Sequence, residues 1–251
     1  MDVREYLGTE NEKPLDRIVP DGGLTSVLRK IGIIGDSLSS GEFEGRRDDG
    51  TPTYTDMFDY SWGQFLARSA GITVYNMSCG GMTAKRYIGS FAAERGFWAL
   101  SRECNAFVIA LGLNDIVNDG FEPGDISDVD LAHPKKNKPT FIGYYAQIVS
   151  RLRLIKPDAP LFFVTMPKNE NGSVSSAHTA LLYEIAALAG HAYVIDLDRY
   201  APVYDAGFRK KFYLYGHMNA AGYYFTSKLI GSSSDFLNRH NIGDVELQHL
   251  V

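Results

Sequence analysis

Five short apolar segments alternate with segments of helical character, and this alternation constrains the fold more than any other feature of the sequence. The apolar segments cover residues 30–35, 72–77, 106–111, 161–165 and 192–197. They are continuous apolar runs, which are typical of parallel strands covered on both faces. Strands that alternate with helices favour one parallel sheet between two helical layers. The sequence therefore predicts an α/β fold: a three-layer α/β/α sandwich with a five-stranded parallel sheet.

The chain divides into an arm and one domain. Residues 1–29 are polar and irregular, and we expect an N-terminal arm that packs on a domain of residues 30–251. Within that domain, residues 41–60 and 116–138 are rich in Gly, Asp and other loop-forming residues, so both segments predict long loops. A length of 251 residues suits a single large α/β domain with a sizeable core.

Charge and composition exclude several classes of partner. The net charge is −5 and no segment is strongly basic, so nucleic acid is not an expected partner. The sequence has no run of about 18 apolar residues and no apolar leader near its start, so we expect no membrane partner. Its two cysteines, Cys79 and Cys104, form no disulfide or metal-binding pattern. These features favour a cytoplasmic protein.

Polar residues with catalytic chemistry follow three of the predicted strands. Ser37 follows the first strand, Gly81 the second and Asn114 the third, while His217 precedes the last predicted helix. Because the loops after parallel strands meet at one edge of the sheet, we expect these residues to lie together. A serine hydroxyl needs a nearby base to act as a nucleophile, and histidine suits that task. The N–H groups of Ser37 and Gly81 and the amide of Asn114 are suitable donors for an oxyanion.

The same residues lie in four motifs that resemble the conserved blocks of the SGNH/GDSL hydrolases, a family of serine esterases and lipases. The order of the blocks matches, and the resemblance spans about residues 30–230. The matching motifs are Gly35-Asp36-Ser37-Leu38, Gly81-Met82-Thr83, Gly112-Leu113-Asn114-Asp115, and His217 with Asn219 and Gly222.

The resemblance implies a flavodoxin-like fold and a definite set of site residues. Ser37 is the implied nucleophile and His217 the implied base. Ser37, Gly81 and Asn114 form the implied oxyanion hole. The family uses neither a metal ion nor an organic cofactor, so we expect none here and predict a small-molecule ester as the substrate.

The sequence departs from the family pattern at position 214. Family members usually have Asp three residues before the catalytic histidine, where this chain has Leu214. That Asp holds the imidazole tautomer and stabilises the imidazolium. Three explanations stay open: a backbone carbonyl near Leu214 takes the role, Asp205 or Asp196 replaces the missing carboxylate, or the hydrolase activity has been lost.

The function predicted from these residues is that of a serine esterase acting through an acyl-enzyme. The absence of a strongly apolar lid segment favours short acyl groups, so acetyl esters of a carbohydrate or another small molecule are the expected substrates. The alternative is a catalytically impaired carbohydrate- or ester-binding protein on the same scaffold. Leu214 favours that alternative, and the four intact blocks argue against it.

Overall fold

The computed structural model describes residues 7–9, 11–170 and 173–242. Its strands are β1 Lys30–Gly35, β2 Glu42–Arg46, β3 Pro52–Asp56, β4 Thr73–Asn76, β5 Ala106–Ala110, β6 Leu161–Val164, β7 Ala192–Ile195, β8 Tyr213–Leu214 and β9 His217–Met218. Five of them form a parallel sheet in the order β4-β1-β5-β6-β7. Numbered among themselves, these strands have the order 2-1-3-4-5, which is the flavodoxin-like order. The predicted five-stranded parallel sheet is confirmed.

The helices vary widely in length. They are α1 Ser37–Ser40, α2 Trp62–Ala70, α3 Ala84–Arg86, α4 Ala92–Glu94, α5 Phe97–Leu100, α6 Phe141–Ile155, α7 Ser173–Ala189, α8 Leu197–Tyr200, α9 Ala206–Phe212 and α10 Ala220–His240. Shorter 3-10 or π-helical segments cover Gly23–Leu28, Phe58–Tyr60, Tyr87–Phe91, Ser101–Glu103, Asn114–Asn118, Ile126–Asp128 and Pro134–Lys136. Polar side chains cap several of the helices: Ser61 accepts from the N–H of Gln64 at the start of α2, and Asn219 accepts from the N–H of Gly222 at the start of α10. No helix in the described part of the chain is long and apolar enough to cross a bilayer.

Helices cover both faces of the sheet, which explains why its strands are continuous apolar runs. On one face, Ile33 packs in a cluster with Trp62 of α2 and Ile230 of α10. On the other face, Ile34 packs in a cluster with Tyr145 of α6. Successive strand residues point to opposite faces, so both layers bury apolar side chains from the same strand. The three-layer α/β/α prediction is confirmed.

The strand order fixes where a ligand can enter. β1 and β5 are neighbours, although β4 lies between them in the chain. The connections therefore leave β1 and β5 in opposite directions, and such a reversal opens a crevice at the carboxyl ends of the strands. Ser37 follows β1 and Asn114 follows β5, so both lie at this reversal.

Residues 41–60 do not form the loop that their composition predicts. They contain an antiparallel hairpin in which Glu42 lies opposite Asp56 and Arg46 lies opposite Pro52. Gly50 adopts a φ of +82° in the turn, a conformation that favours glycine. Because β2 packs against β9, the hairpin reaches the strand that carries His217.

The described part of the N-terminal segment lies along α10. The Val19 N–H donates to Ser232 Oγ at 3.0 Å, and the Thr25 hydroxyl donates to the Gly231 carbonyl at 3.1 Å. Residues 1–6 and 10 of the predicted arm lie outside the described residues. The described remainder contacts α10 through these hydrogen bonds, and the division of the chain into an arm and one domain stays a prediction.

Candidate active site

Ser37 is the first residue of the short α1 turn, directly after β1. The Asp36 carboxylate accepts a hydrogen bond from the Leu38 N–H at 3.0 Å and so caps this turn. Burial raises the pKa of Asp36 to about 6. A Cβ on Gly35 would lie 2.3 Å from the Ser39 hydroxyl oxygen, so the turn packs closely enough to require glycine there. The motif thus folds into a tight strand-to-helix turn that begins with the serine.

The loop after β4 lies beside this turn and contains Gly81. The Cys79 N–H donates to the Gly35 carbonyl at 3.3 Å, which ties the loop to the end of β1. Gly81 has a φ of +65°, and a Cβ built on it would face open space. Gly81 is therefore an exposed backbone position in the loop that is tied to the end of β1.

Asn114 links the loops after β4 and β5. It is 8% exposed, and its Nδ2 donates to the Met82 carbonyl at 3.0 Å, while its Oδ1 accepts from Asn118 at 2.6 Å. Since an amide nitrogen carries two hydrogens, one donor of Asn114 stays available for a ligand. The neighbouring Asp115 is fully buried and accepts from the Ala84 N–H at 2.8 Å, and burial raises its pKa to about 7.

His217 lies on β9 and contacts a carboxylate that the sequence analysis did not identify. Its Nδ1 is 3.0 Å from Oε2 of Glu44 on β2. The same Glu44 oxygen accepts from the Gly216 N–H at 2.8 Å, and Oε1 accepts from Arg46. Burial alone raises the pKa of Glu44, but the hydrogen bonds from His217, Arg46 and Gly216 outweigh it and lower the pKa below its usual value. Glu44 is therefore an ionised acceptor, and it holds the proton of His217 on Nδ1.

The three groups expected to orient His217 have other contacts, so that expectation is corrected. The backbone of Leu214 pairs with the backbone of His217 in the β8–β9 hairpin, and its side chain is 43% exposed. Asp205 accepts from the Phe208 N–H at 2.7 Å and caps α9. Asp196 accepts from the Arg199 N–H at 2.9 Å and from the Tyr183 hydroxyl at 3.0 Å. Glu44 occupies the role for which they were considered.

A second carboxylate contacts the other ring nitrogen of His217. Oε1 of Glu42 lies 3.1 Å from Nε2. The Tyr54 ring packs edge-on against the imidazole, with the ring centroids 5.5 Å apart. The α1 turn with Ser37 packs against β9. His217 is thus enclosed by the hairpin on one side and the serine turn on the other.

A sequence signal for the hairpin residues does exist. Glu42, Phe43 and Glu44 alternate polar and apolar side chains, and Asp49-Gly50 is a common hairpin turn. Alternation places Glu42 and Glu44 on one face of β2 and Phe43 on the other, where it packs against the core. The high Gly and Asp content of residues 41–60 favoured a loop prediction over this weaker pattern.

Metal chemistry has no obvious ligand set here. In residues 7–9, 11–170 and 173–242, no group of three or more His, Cys, Asp or Glu side chains is arranged to hold a metal ion.

Comparison with known proteins identifies a family. The model of the GDSL-like lipase/acylhydrolase family matches residues 33–225. None of the curated proteins matches the chain.

Several solved structures share the fold at low sequence identity. A protein from Lactobacillus plantarum is 18% identical with a TM-score of 0.59, over 85% of this chain and 98% of its own. A family two carbohydrate esterase from Clostridium thermocellum, in complex with cellohexaose, is 17% identical with a TM-score of 0.57, over 94% of this chain and 68% of its own. A lipase/acylhydrolase from Enterococcus faecalis is 17% identical with a TM-score of 0.50, over 83% and 96%.

Proposed function

The chain belongs to the GDSL-like lipase/acylhydrolase family, and from this premise we propose that it is a serine esterase that cleaves carboxylic esters through an acyl-enzyme on Ser37. The observation that carries the proposal is the contact of 3.0 Å between His217 Nδ1 and Glu44 Oε2. A histidine whose Nδ1–H is held by an ionised carboxylate has its Nε2 directed to act as a base. The same carboxylate stabilises the imidazolium that forms when His217 accepts a proton.

The proposed reaction uses the site residues in sequence. The Ser37 hydroxyl attacks the ester carbonyl while His217 Nε2 accepts its proton. The Ser37 N–H, the Gly81 N–H and the Asn114 amide donate to the oxyanion of the tetrahedral intermediate. His217 then donates its proton to the departing alcohol, and water, activated by the same base, releases the acyl group from Ser37.

Short-chain acyl esters of a carbohydrate are the substrates that we propose. Tyr54 packs beside the base and is 55% exposed, and Tyr215, in the turn before β9, is 60% exposed with Arg46 stacked on its ring, so aromatic surface is exposed near His217. Such surfaces, combined with carboxylates that accept hydrogen bonds, suit a hydroxyl-rich alcohol group. The fold shared with a carbohydrate esterase supports this substrate class.

The binding-protein alternative loses its main argument. It depended on the absence of a carboxylate partner for His217, and Glu44 supplies such a partner. An esterase and a binding protein still differ in one measurable property, because only the esterase has an activated serine.

The test compares wild type with Ser37→Ala and with Ser39→Ala, a matched loss of a hydroxyl from the same turn. Hydrolysis of p-nitrophenyl acetate, butyrate and octanoate gives the acyl preference, and release of acetate from acetylated glucose tests the carbohydrate class. We expect Ser37→Ala to lower kcat by at least about 10⁴-fold, and Ser39→Ala to retain turnover. A fluorophosphonate should label Ser37 in wild type. Wild-type protein with neither turnover nor labelling would contradict the proposal.

A further inference from the structure

The Glu42 carboxylate lies between the His217 ring and the loop that carries Gly81. Its Oε1 is 3.1 Å from Nε2. Its Oε2 packs against Gly80, where a Cβ would lie only 2.2 Å from that oxygen. In the proposed reaction, the ester group has to fit between the base and the oxyanion donors. Substrate and the Glu42 carboxylate therefore require the same space.

A proton favours the contact between Glu42 and His217. Nδ1 uses its hydrogen for Glu44, whose oxygens accept from three groups. Nε2 and the Glu42 Oε1 are both acceptors when neither carries a hydrogen, so a proton on either one stabilises their approach to 3.1 Å. If that proton is on Nε2, the base is already protonated. If it is on Glu42, the Nε2 lone pair is occupied, and in both cases His217 is not free to accept the proton of Ser37.

The two carboxylates around His217 are held unequally. Glu44 accepts hydrogen bonds from the Gly216 N–H and from Arg46 in addition to His217. The Glu42 side chain is 14% exposed, and its carboxylate contacts the His217 ring. Glu42 is also the first residue of β2, directly after Gly41, whose φ is +80°. Glu42 is thus the carboxylate that can leave the ring while Glu44 stays.

Charged and titratable groups reach this contact from every element around it. They are Asp36 at the end of β1, Glu44 and Arg46 on β2, Tyr54 and Asp56 on β3, and Tyr223 on α10. Tyr213 on β8 interacts with Asp36. Burial raises the pKa of Glu42; His217 opposes this effect, while Asp56 and Glu44 add to it. The excess of carboxylates favours a retained proton at the Glu42–His217 contact.

We propose that Glu42 is a positioning residue that competes with Ser37 for Nε2 of His217, so that the base of the free protein becomes available only when one proton leaves or substrate displaces the carboxylate. The proposal rests on the esterase function proposed above. It assigns Glu42 a role that depends on pH, whereas Glu44 holds the ring at every pH at which it is ionised.

The test measures the rate of fluorophosphonate labelling of Ser37 against pH in the full chain. Glu42→Ala removes the competitor. Glu42→Gln keeps the shape and can donate its own N–H to Nε2 without a solvent proton. Asp49→Asn is the matched control, because Asp49 lies in the turn of the same hairpin, where its exposed side chain accepts from the Thr51 N–H.

We expect the pH midpoint of labelling to fall by about one unit in Glu42→Ala, as is typical when a close opposite charge is removed. Below the wild-type midpoint, Glu42→Ala should then label about 10-fold faster. Glu42→Gln should show a similarly lowered midpoint but label more slowly than Glu42→Ala at high pH. Asp49→Asn should keep a midpoint near that of wild type. Equal midpoints in wild type, Glu42→Ala and Glu42→Gln would overturn the proposal.

A second measurement separates this proposal from the esterase function. The ¹⁵N chemical shifts of the His217 ring in a Ser37→Ala background report the protonation of Nε2 without any activity. Loss of the Nε2 proton at lower pH in Glu42→Ala than in the parent supports the role of Glu42, even if no variant reacts with the fluorophosphonate. Identical ¹⁵N titrations would overturn it. Absence of labelling in wild type bears on the esterase proposal alone.

Discussion

Two regions of this molecule place a basic side chain between two carboxylates, and they serve different purposes. On α10, Arg239 donates from Nε to Asp235 at 2.8 Å and from both terminal nitrogens to Glu12 at 2.7 Å. At the carboxyl edge of the sheet, His217 lies between Glu42 and Glu44 at 3.1 and 3.0 Å. The distances are similar, but the chemistry of the central group is not.

The difference lies in whether the central group can release its proton. Arginine stays protonated in proteins, so the Arg239 cluster has a constant charge and fixes Glu12 of the N-terminal segment to α10. Histidine changes charge near neutral pH, so the second cluster has more than one protonation state. Similar geometry therefore gives a stabilising ion-pair cluster around Arg239 and a candidate acid–base centre around His217.

Among the substitutions that test this comparison, replacement of Glu44 is expected to have the largest effect, which is a loss of kcat. Glu44→Gln keeps the size of the side chain but removes the ionised acceptor that fixes the Nδ1–H tautomer. We expect kcat for p-nitrophenyl acetate to fall by about 10³- to 10⁴-fold, with a native circular dichroism spectrum. Asp205→Asn and Asp196→Asn are the controls, because both carboxylates cap helices away from the His217 ring. A drop in either control as large as that in Glu44→Gln would contradict the assignment of Glu44.

Replacement of Arg239 is expected to lower the stability of the fold and to leave kcat unchanged. Arg239→Met leaves two carboxylates without their partner; the Arg239, Glu12 and Asp235 side chains are only 7%, 9% and 4% exposed. Loss of one partner from a buried pair costs about 3–5 kcal/mol, which urea unfolding can measure, while kcat should stay near the wild-type value. The triple variant Arg239→Met, Glu12→Gln, Asp235→Asn should recover part of that loss, because it removes the unpaired charges. A triple variant no more stable than Arg239→Met would argue against an electrostatic origin.

The pH dependence of stability gives the smallest expected effect. The Arg239 hydrogen bond lowers the pKa of Glu12 below its usual value. Because the folded pKa lies below the unfolded one, Glu12 contributes its full stabilisation above the unfolded carboxyl pKa of about 4.3. That contribution is lost as the pH falls through the lowered folded pKa. The free energy of unfolding should therefore fall less in Arg239→Met than in wild type between pH 6 and pH 3. Equal falls in the two proteins would contradict the pairing of Glu12 with Arg239.

Several parts of the site were open to prediction from the sequence because each has a local cause. Ser37 and Asn114 follow buried apolar runs, and parallel strands bring the ends of such runs to one edge. The donor role of Gly81 stays a prediction, and glycine tolerates the φ of +65° that the structure shows there. The motif around His217 marked that residue independently of its partners.

The partner of His217 was not open to prediction in this way. Glu44 lies 173 residues from His217 in the chain and approaches it through hairpin pairing and the packing of β2 on β9. Asp205 and Asp196 are closer in sequence, but each satisfies the first turn of a helix. Proximity in sequence therefore favoured the wrong carboxylates.

The sequence by itself determined the parallel sheet, its covering helices and the edge at which Ser37, Gly81, Asn114 and His217 lie, because apolar runs and turn residues act over short stretches of chain. Only the tertiary structure decided which carboxylates surround His217. Polar side chains on a short hairpin carry no strong periodic signal, and their partners depend on how that hairpin packs against a distant strand. Glu42 and Glu44 thus acquire their roles from packing.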